Sequence, residues 1–568
     1  MASDDKTPAL GRRQVLGLAA AGAAMSLTPG GAAVAAETAF VPGAAVKGPG
    51  VPVPSAVVAT KAGKVQGLVI GGVSHYLGIR YGAAPIGPLR WAPPQPAKAW
   101  TGIYDATDFG APAMQLAGGS SVDVTNDFSL QMHRVFNTPS ELKVMNEDCL
   151  FLNVWTPAAD AKKRPVMVWL HGGGFVWGSG SQPVYQGDGL AKAGDVVAVS
   201  LNHRLNVFGY LHLGDLMGPE FASSGTVGMQ DLVLALQWVR DNIAAFGGDP
   251  DNVMIMGQSG GGAKVSTLLA MPGAKGLFHK AAIQSGPGLA VGRKAQATDQ
   301  ARKLLDVLGV KPGDIAALRA IPAPTILEAV AKAGGGFGGP GSGPILDEVA
   351  ITRDPFTPDA PDISADVPIL VGWCKDEWTI FTAGEPWFGK MTEDDLQARI
   401  KPFGAPGQTL LAAYREAYPT YSPTYLWEQM ISGRMMMGSE TLAARKAAKG
   451  KAPAFVYMVA WESPVNGGAF KTPHTMEIPF MLYSYDKVRA FVGPGPGPAH
   501  MADQIGGAWV AFARTGKPDC AAIPHWPAFN TTERPVMVFD TKSKVVNDPL
   551  PKVRQVMESI PQMMSMRG

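Results

Sequence analysis

Short runs that are apolar on both faces alternate along this chain with stretches of helical spacing. Pro165 to Leu170 is one such run and stops at His171 and three glycines. Asp195 to Leu201, Val253 to Met256, Ala281 to Gln284 and Pro368 to Gly372 are others. Between them, Leu232, Ala235, Leu236, Val239 and Ile243 recur at the period of a helix, and Ala263 to Leu269 reads as a second one. A strand apolar on both faces must be covered on both faces. The alternation therefore predicts an α/β fold: a large, mainly parallel central sheet with helices on both sides. Residues 290–340 and 385–450 read mostly as inserted helical regions, and the Gly-rich stretch 333–343 as a mobile surface loop. Sheets of this kind carry their chemistry on loops at the carboxyl ends of the strands.

Composition narrows the class. Charged residues make up 17% of the 568 residues and hydrophobic ones 46%, which is a globular balance rather than a disordered one. Gly (69) and Pro (48) lack the triplet period of collagen. The formal net charge of +2 offers no attraction for a polyanion, which argues against a nucleic-acid partner. Three cysteines, Cys149, Cys374 and Cys520, cannot form a disulfide framework or a cysteine-based zinc site in so long a chain. No cofactor or metal site is expected.

The N-terminal region has its own logic. Arg12-Arg13 precedes a weakly apolar, uncharged stretch from Gln14 to Ala36, with a small-x-small cleavage site at Ala33-Val34-Ala35. This resembles a bacterial twin-arginine signal peptide over residues 1–36 and implies export to the periplasm or beyond. Ala and Gly give too little transfer energy for a stable membrane anchor. Residues 37–54 read as an extended linker, and 55–568 as one catalytic domain, although length alone would suggest roughly three to four.

The candidate chemistry begins at Gly257-Gln258-Ser259-Gly260-Gly261, a G-x-S-x-G motif between a strand and a helix. In that context the turn is too sharp for side chains on either flank, and it lifts the serine hydroxyl to the sheet edge. His171-Gly172-Gly173-Gly174-Phe175 follows another strand end. A phosphate cradle would want Lys-Ser or Lys-Thr after the glycines, and Phe175-Val176 stands there instead. A glycine loop can instead aim backbone N–H groups at an oxyanion, with Gly173, Gly174 and Gly260 as the expected donors.

These motifs together make the chain similar to the type-B carboxylesterases, the family of the cholinesterases and para-nitrobenzyl esterases. Gly78 to Pro85, Glu147 to Val154, Asn202-His203-Arg204 and Phe246 to Pro250 resemble further family segments, so that the likeness runs from about residue 60 to 530. It implies an α/β-hydrolase fold and hydrolysis of small-molecule carboxylic esters through an acyl-enzyme. Among nine histidines, His474 in Pro473 to Phe480 matches the family's base, and Glu377 matches its acid. The triad implied is Ser259, Glu377 and His474. The likeness also implies an Arg90–Glu147 pair and an Arg204–Asp249 pair.

The pattern departs from the family in several places. Gln258 stands where a Glu is usual, Met114 where a Cys is usual, leaving Cys149 as a free buried thiol, and Trp378 where a Gly is usual, which is expected to crowd its loop. Phe175, Trp177, Gln258 and Ser285 are candidates for the substrate pocket, against plain packing for Trp177 and a strand-end cap for Ser285. Amide or carbamate hydrolysis would use the same triad. A lipase finds no apolar lid in the sequence. A non-catalytic cholinesterase-like binding protein would lose a triad residue, and here all three are present. The oligomeric state is left open.

Overall fold

The computed structural model describes residues 51–116, 144–336 and 338–559. The proposed signal peptide and most of the linker lie outside the described residues.

Twelve strands form the main sheet. In chain order they are β1 (Val53–Pro54), β2 (Leu68–Ile70), β3 (Val73–Arg80), β4 (Phe151–Thr156), β5 (Arg164–Leu170), β6 (Val197–Leu201), β7 (Gly248–Gln258), β8 (Lys280–Gln284), β9 (Ile369–Cys374), β10 (Ala454–Val459), β11 (Pro535–Phe539) and β12 (Lys544–Asn547). Their order across the sheet is β1-β2-β3-β4-β6-β5-β7-β8-β9-β10-β11-β12. The seven from β6 to β11 in that order run parallel, with antiparallel strands at both edges. Val53–Pro54, read from sequence as the end of a linker, instead pairs with Leu68–Val69 at the sheet edge.

The double-sided apolar runs behave as expected. In β5 every residue is buried, yet its side chains divide between two cores: Val166, Val168 and Leu170 on one face, Met167 and Trp169 on the other. Strand alternation produces this division, so each core needs its own helical cover. Helix α1 (Val227–Asn242) covers the first face with Leu232, Ala235, Leu236 and Val239. A later helix, Gly497–Thr515, covers the second with Ile505, Ala508, Trp509 and Phe512.

Register decides where the loops meet. Leu170 pairs with Gly257, Gln258 with Gln284, and Gln284 with Gly372. The carboxyl ends of β5, β7, β8 and β9 are therefore level, and the segments leaving them emerge side by side.

Of the two ion pairs implied by family likeness, the structure holds one. Arg90 pairs with Glu147, with Nε donating to Oε2 at 2.6 Å. Arg204 does not pair with Asp249; it grips Asp231 of α1 through Nε and Nη2 at 2.9 and 2.7 Å. The reason is topological. Arg204 follows the carboxyl end of β6, whereas Asp249 opens β7 at its amino end, and in a parallel sheet those ends lie on opposite sides. All three cysteines are free, with Cys149 and Cys374 buried.

Candidate active site

Ser259 sits between β7 and helix α2 (Gly260–Leu268) with φ 59° and ψ −124°. That left-handed conformation is unfavourable for a residue with a Cβ and persists only where the surroundings enforce it. Here the Ser259 N–H donates to Gln284 O at 2.8 Å, tying the turn to β8. The flanking glycines are required by contact. A Cβ on Gly260 would lie 2.1 Å from Gly174 O, and one on Gly261 would lie 2.1 Å from Leu170 O.

The same contact shows that the glycine loop after β5 docks on the start of α2. Gly173 and Gly174 both have positive φ, 83° and 61°. Their amides donate to no other group among the described residues. The amide of Gly260 opens α2, where no intrahelical acceptor exists. The Gly260 amide thus lies beside the serine at the positive end of a helix, with the glycine loop docked against it.

Glu377 lies in the turn after β9 and is fully buried. Its Oε1 accepts from the Cys374 N–H at 2.7 Å, and its Oε2 forms a short hydrogen bond with His474 Nδ1. A second tether joins the two residues, His474 N–H to Glu377 O at 3.2 Å. With its Nδ1–H donated to the Glu377 carboxylate, His474 presents Nε2 as an acceptor, and Gln258 Nε2 donates to it at 3.0 Å. Ser259 and His474 face the same cavity, of about 680 Å³. The neighbouring Asp376 points away: its carboxylate accepts from Gln429, Tyr421 and the Thr472 N–H at 2.7, 3.0 and 3.2 Å.

The pocket candidates fare unevenly. Phe175 lines the cavity. Trp177 does not; it packs behind the glycine loop, with its ring 2.8 Å from where a Gly173 Cβ would stand. Gln258 is buried under His474 rather than on the wall. Ser285 is fully buried and reaches Glu477 Oε1 at 3.5 Å, behind the triad. Trp378 does not crowd its loop. Its φ of −86° and ψ of −16° suit any residue, so the Gly usual in the family is not required there. The indole instead lines the cavity, stacked under the Arg434 guanidinium at 4.8 Å and beside Phe381 at 5.2 Å.

Other wall residues have no sequence motif. Phe381, Met435 and the pair Tyr210 and His212 come from three separate segments, and only the fold brings them together. Gly338, Gly341, Ser342 and Gly343, expected in a surface loop, also line the cavity. Among the described residues, no group of His, Cys, Asp and Glu could hold a metal ion.

A sharp serine turn, a glycine loop and a carboxylate-bound imidazole on one parallel sheet define the α/β-hydrolase class. Residues 54–557 match the model of the carboxylesterase family, and the chain belongs to that family. It is 33% identical over 513 residues to the para-nitrobenzyl esterase of Bacillus subtilis, covering 88% of this chain and 98% of that one. It is 33% identical over 503 residues to the phenmedipham hydrolase of Pseudarthrobacter oxydans, covering 86% and 96%. The crystal structure of the carboxylesterase EST55 of Geobacillus stearothermophilus superposes with a TM-score of 0.76 at 38% identity, covering 88% of this chain and 99% of that one. The protein is a serine hydrolase that cleaves carboxylic esters.

Proposed function

We propose that Ser259, His474 and Glu377 carry out this hydrolysis, with the amides of Gly173, Gly174 and Gly260 as the oxyanion hole. The observation that carries the assignment is the imidazole held by Glu377 at Nδ1, on a histidine that lines the same cavity as Ser259. Ser259 Oγ attacks the ester carbonyl carbon and its proton passes to His474 Nε2, while the carbonyl oxygen becomes an oxyanion facing the three amides. Collapse breaks the bond to the alkoxy oxygen. The alcohol leaves with the proton from His474, and the acyl group stays on Ser259. Water then attacks the acyl carbon, gives its proton to His474, and the second collapse returns Ser259 and releases the carboxylic acid. Gln258 must share or yield Nε2 when Ser259 transfers its proton.

The cavity walls are mainly apolar and aromatic and carry no carboxylate among the residues that line them. We therefore expect neutral alkyl and aryl esters rather than cationic choline-like ones. Incubating the protein with a fluorophosphonate and following hydrolysis of a p-nitrophenyl ester tests the assignment. Ser259→Ala should lose both labelling and turnover while its melting curve is unchanged; labelling that survives would assign the nucleophile elsewhere. Twin-arginine export of the folded enzyme is part of the same proposal. Replacing Arg12 and Arg13 by Lys should leave the protein in the cytoplasm of a bacterial host, and undiminished periplasmic activity would refute it.

A further inference from the structure

Beneath the glycine loop lies a lysine that ordinary stability does not explain. Lys264 is in the second turn of α2 and is fully buried. Its ammonium makes one hydrogen bond among the described residues, Nζ to His171 O at 2.9 Å, and it sits over the Phe175 ring at 5.5 Å. Among the described residues no carboxylate pairs with it. Burying an unpaired ammonium is costly. Its position on α2 adds to the cost, because a cation near a helix N-terminus opposes the helix dipole. A methionine or serine would fill the same place without either penalty.

Both penalties have the same sign as a benefit elsewhere. The His171 carbonyl that Lys264 holds belongs to the peptide leading directly into Gly172, Gly173 and Gly174. His171 Nδ1 in turn donates to Gly172 O at 2.9 Å, the carbonyl of the peptide whose N–H is that of Gly173. A hydrogen bond to a carbonyl polarises the N–H at the other end of the same peptide. The carbonyls of His171 and Gly172 are thus both bound by donors.

We propose that Lys264 is a positioning residue for ester hydrolysis, a buried cation that holds the oxyanion loop and stabilises the negative charge that develops in front of it. The inference rests on the reading of Ser259 as nucleophile. Its neighbours leave the charge uncancelled. His171 and His203, stacked at 5.1 Å, are both held neutral, chiefly by burial. Arg204 beyond them is neutralised by Asp231 of α1, and α2 carries no other charged side chain. Burial also lowers the Lys264 ammonium to about 7, so its support fades as pH rises through that region.

The test compares wild type with Lys264→Met, which keeps the length of the side chain and removes its charge, and with Lys264→Gln in case the first does not fold. We expect kcat on p-nitrophenyl butyrate to fall about 10- to 100-fold with KM nearly unchanged, somewhat less than loss of a direct oxyanion donor. Affinity for a trifluoromethyl ketone, which forms an anionic hemiketal on Ser259, should fall in parallel. The alkaline decline of the wild-type pH profile should disappear in both variants. A folded variant whose kcat and ketone affinity match wild type would overturn the proposal, as would a loss confined to KM. If wild type itself forms no ketone adduct, it is the assignment of Ser259 that fails.

Discussion

The choice between two adjacent carboxylates is the sharpest test of the triad. Glu377→Gln removes a charge in direct contact with His474 Nδ1, where the two side chains are fully buried and 4% exposed as residues. At about 4 Å and an effective dielectric near 20, the attraction between that carboxylate and the imidazolium formed in the transition state is about 4 kcal/mol. The amide that replaces it brings a second loss. If its NH₂ turns toward Nδ1, the imidazole must carry its proton on Nε2, which then cannot accept from serine. Together these predict a fall in kcat of about 10³- to 10⁴-fold. Asp376→Asn perturbs a different network. Its carboxylate accepts three hydrogen bonds and lies 3.7 Å from Lys375, although burial also raises its pKa. An amide there turns an NH₂ toward groups that are themselves donors, at a cost of about 1–3 kcal/mol in stability, with less than about a tenfold change in kcat. The assay is a matched pair of p-nitrophenyl ester kinetics and thermal melts. The reasoning is refuted if Asp376→Asn abolishes turnover with an unchanged melt while Glu377→Gln remains active.

Three further outcomes are expected. Lys264 is lowered to about 7 from 10.5, so between those values the unfolded chain binds more protons than the folded one. Wild-type stability should therefore rise with pH across that window, and the rise should be missing in Lys264→Met, measured by urea unfolding at pH 6 and pH 9; equal slopes would contradict it. Phe381→Ala enlarges the cavity beside His474, whose ring lies 5.3 Å from that of Phe381. It should shift kcat/KM toward bulky aryl acyl groups by about tenfold relative to acetate, and an unchanged ratio across an ester panel would show that Phe381 does not limit the acyl group. EDTA should leave activity unchanged; a loss restored by a divalent ion would show a metal dependence that the triad does not require.

How much of this was legible in the sequence follows from which interactions are local. A strand buried on both faces must be apolar at every position, so β5, β7, β8 and β9 could be read from short windows, as could the α/β class. The serine turn and the glycine loop were legible because close backbone contact forbids side chains there, at Gly260 and Gly261 for instance. His474 and Glu377 needed the family likeness, since nothing local separates one histidine from eight others.

The rest depends on distance in three dimensions. The family likeness implies Asp249 as the Arg204 partner, but strand direction puts Asp249 out of reach and Asp231 within it. Trp177 and Ser285 were near the chemistry along the chain but face away from the cavity. Trp378, Phe381, His212 and the 338–343 loop line the cavity from segments remote in sequence. Lys264 left one trace, as the sole charge between Asp251 and Lys275. Local pattern determined the elements and the turns, because those follow from hydrogen bonding and sterics within a few residues. Tertiary structure decided the pocket walls, the ion pairs and the unpaired buried cation, because those follow from which strand ends the sheet register brings level.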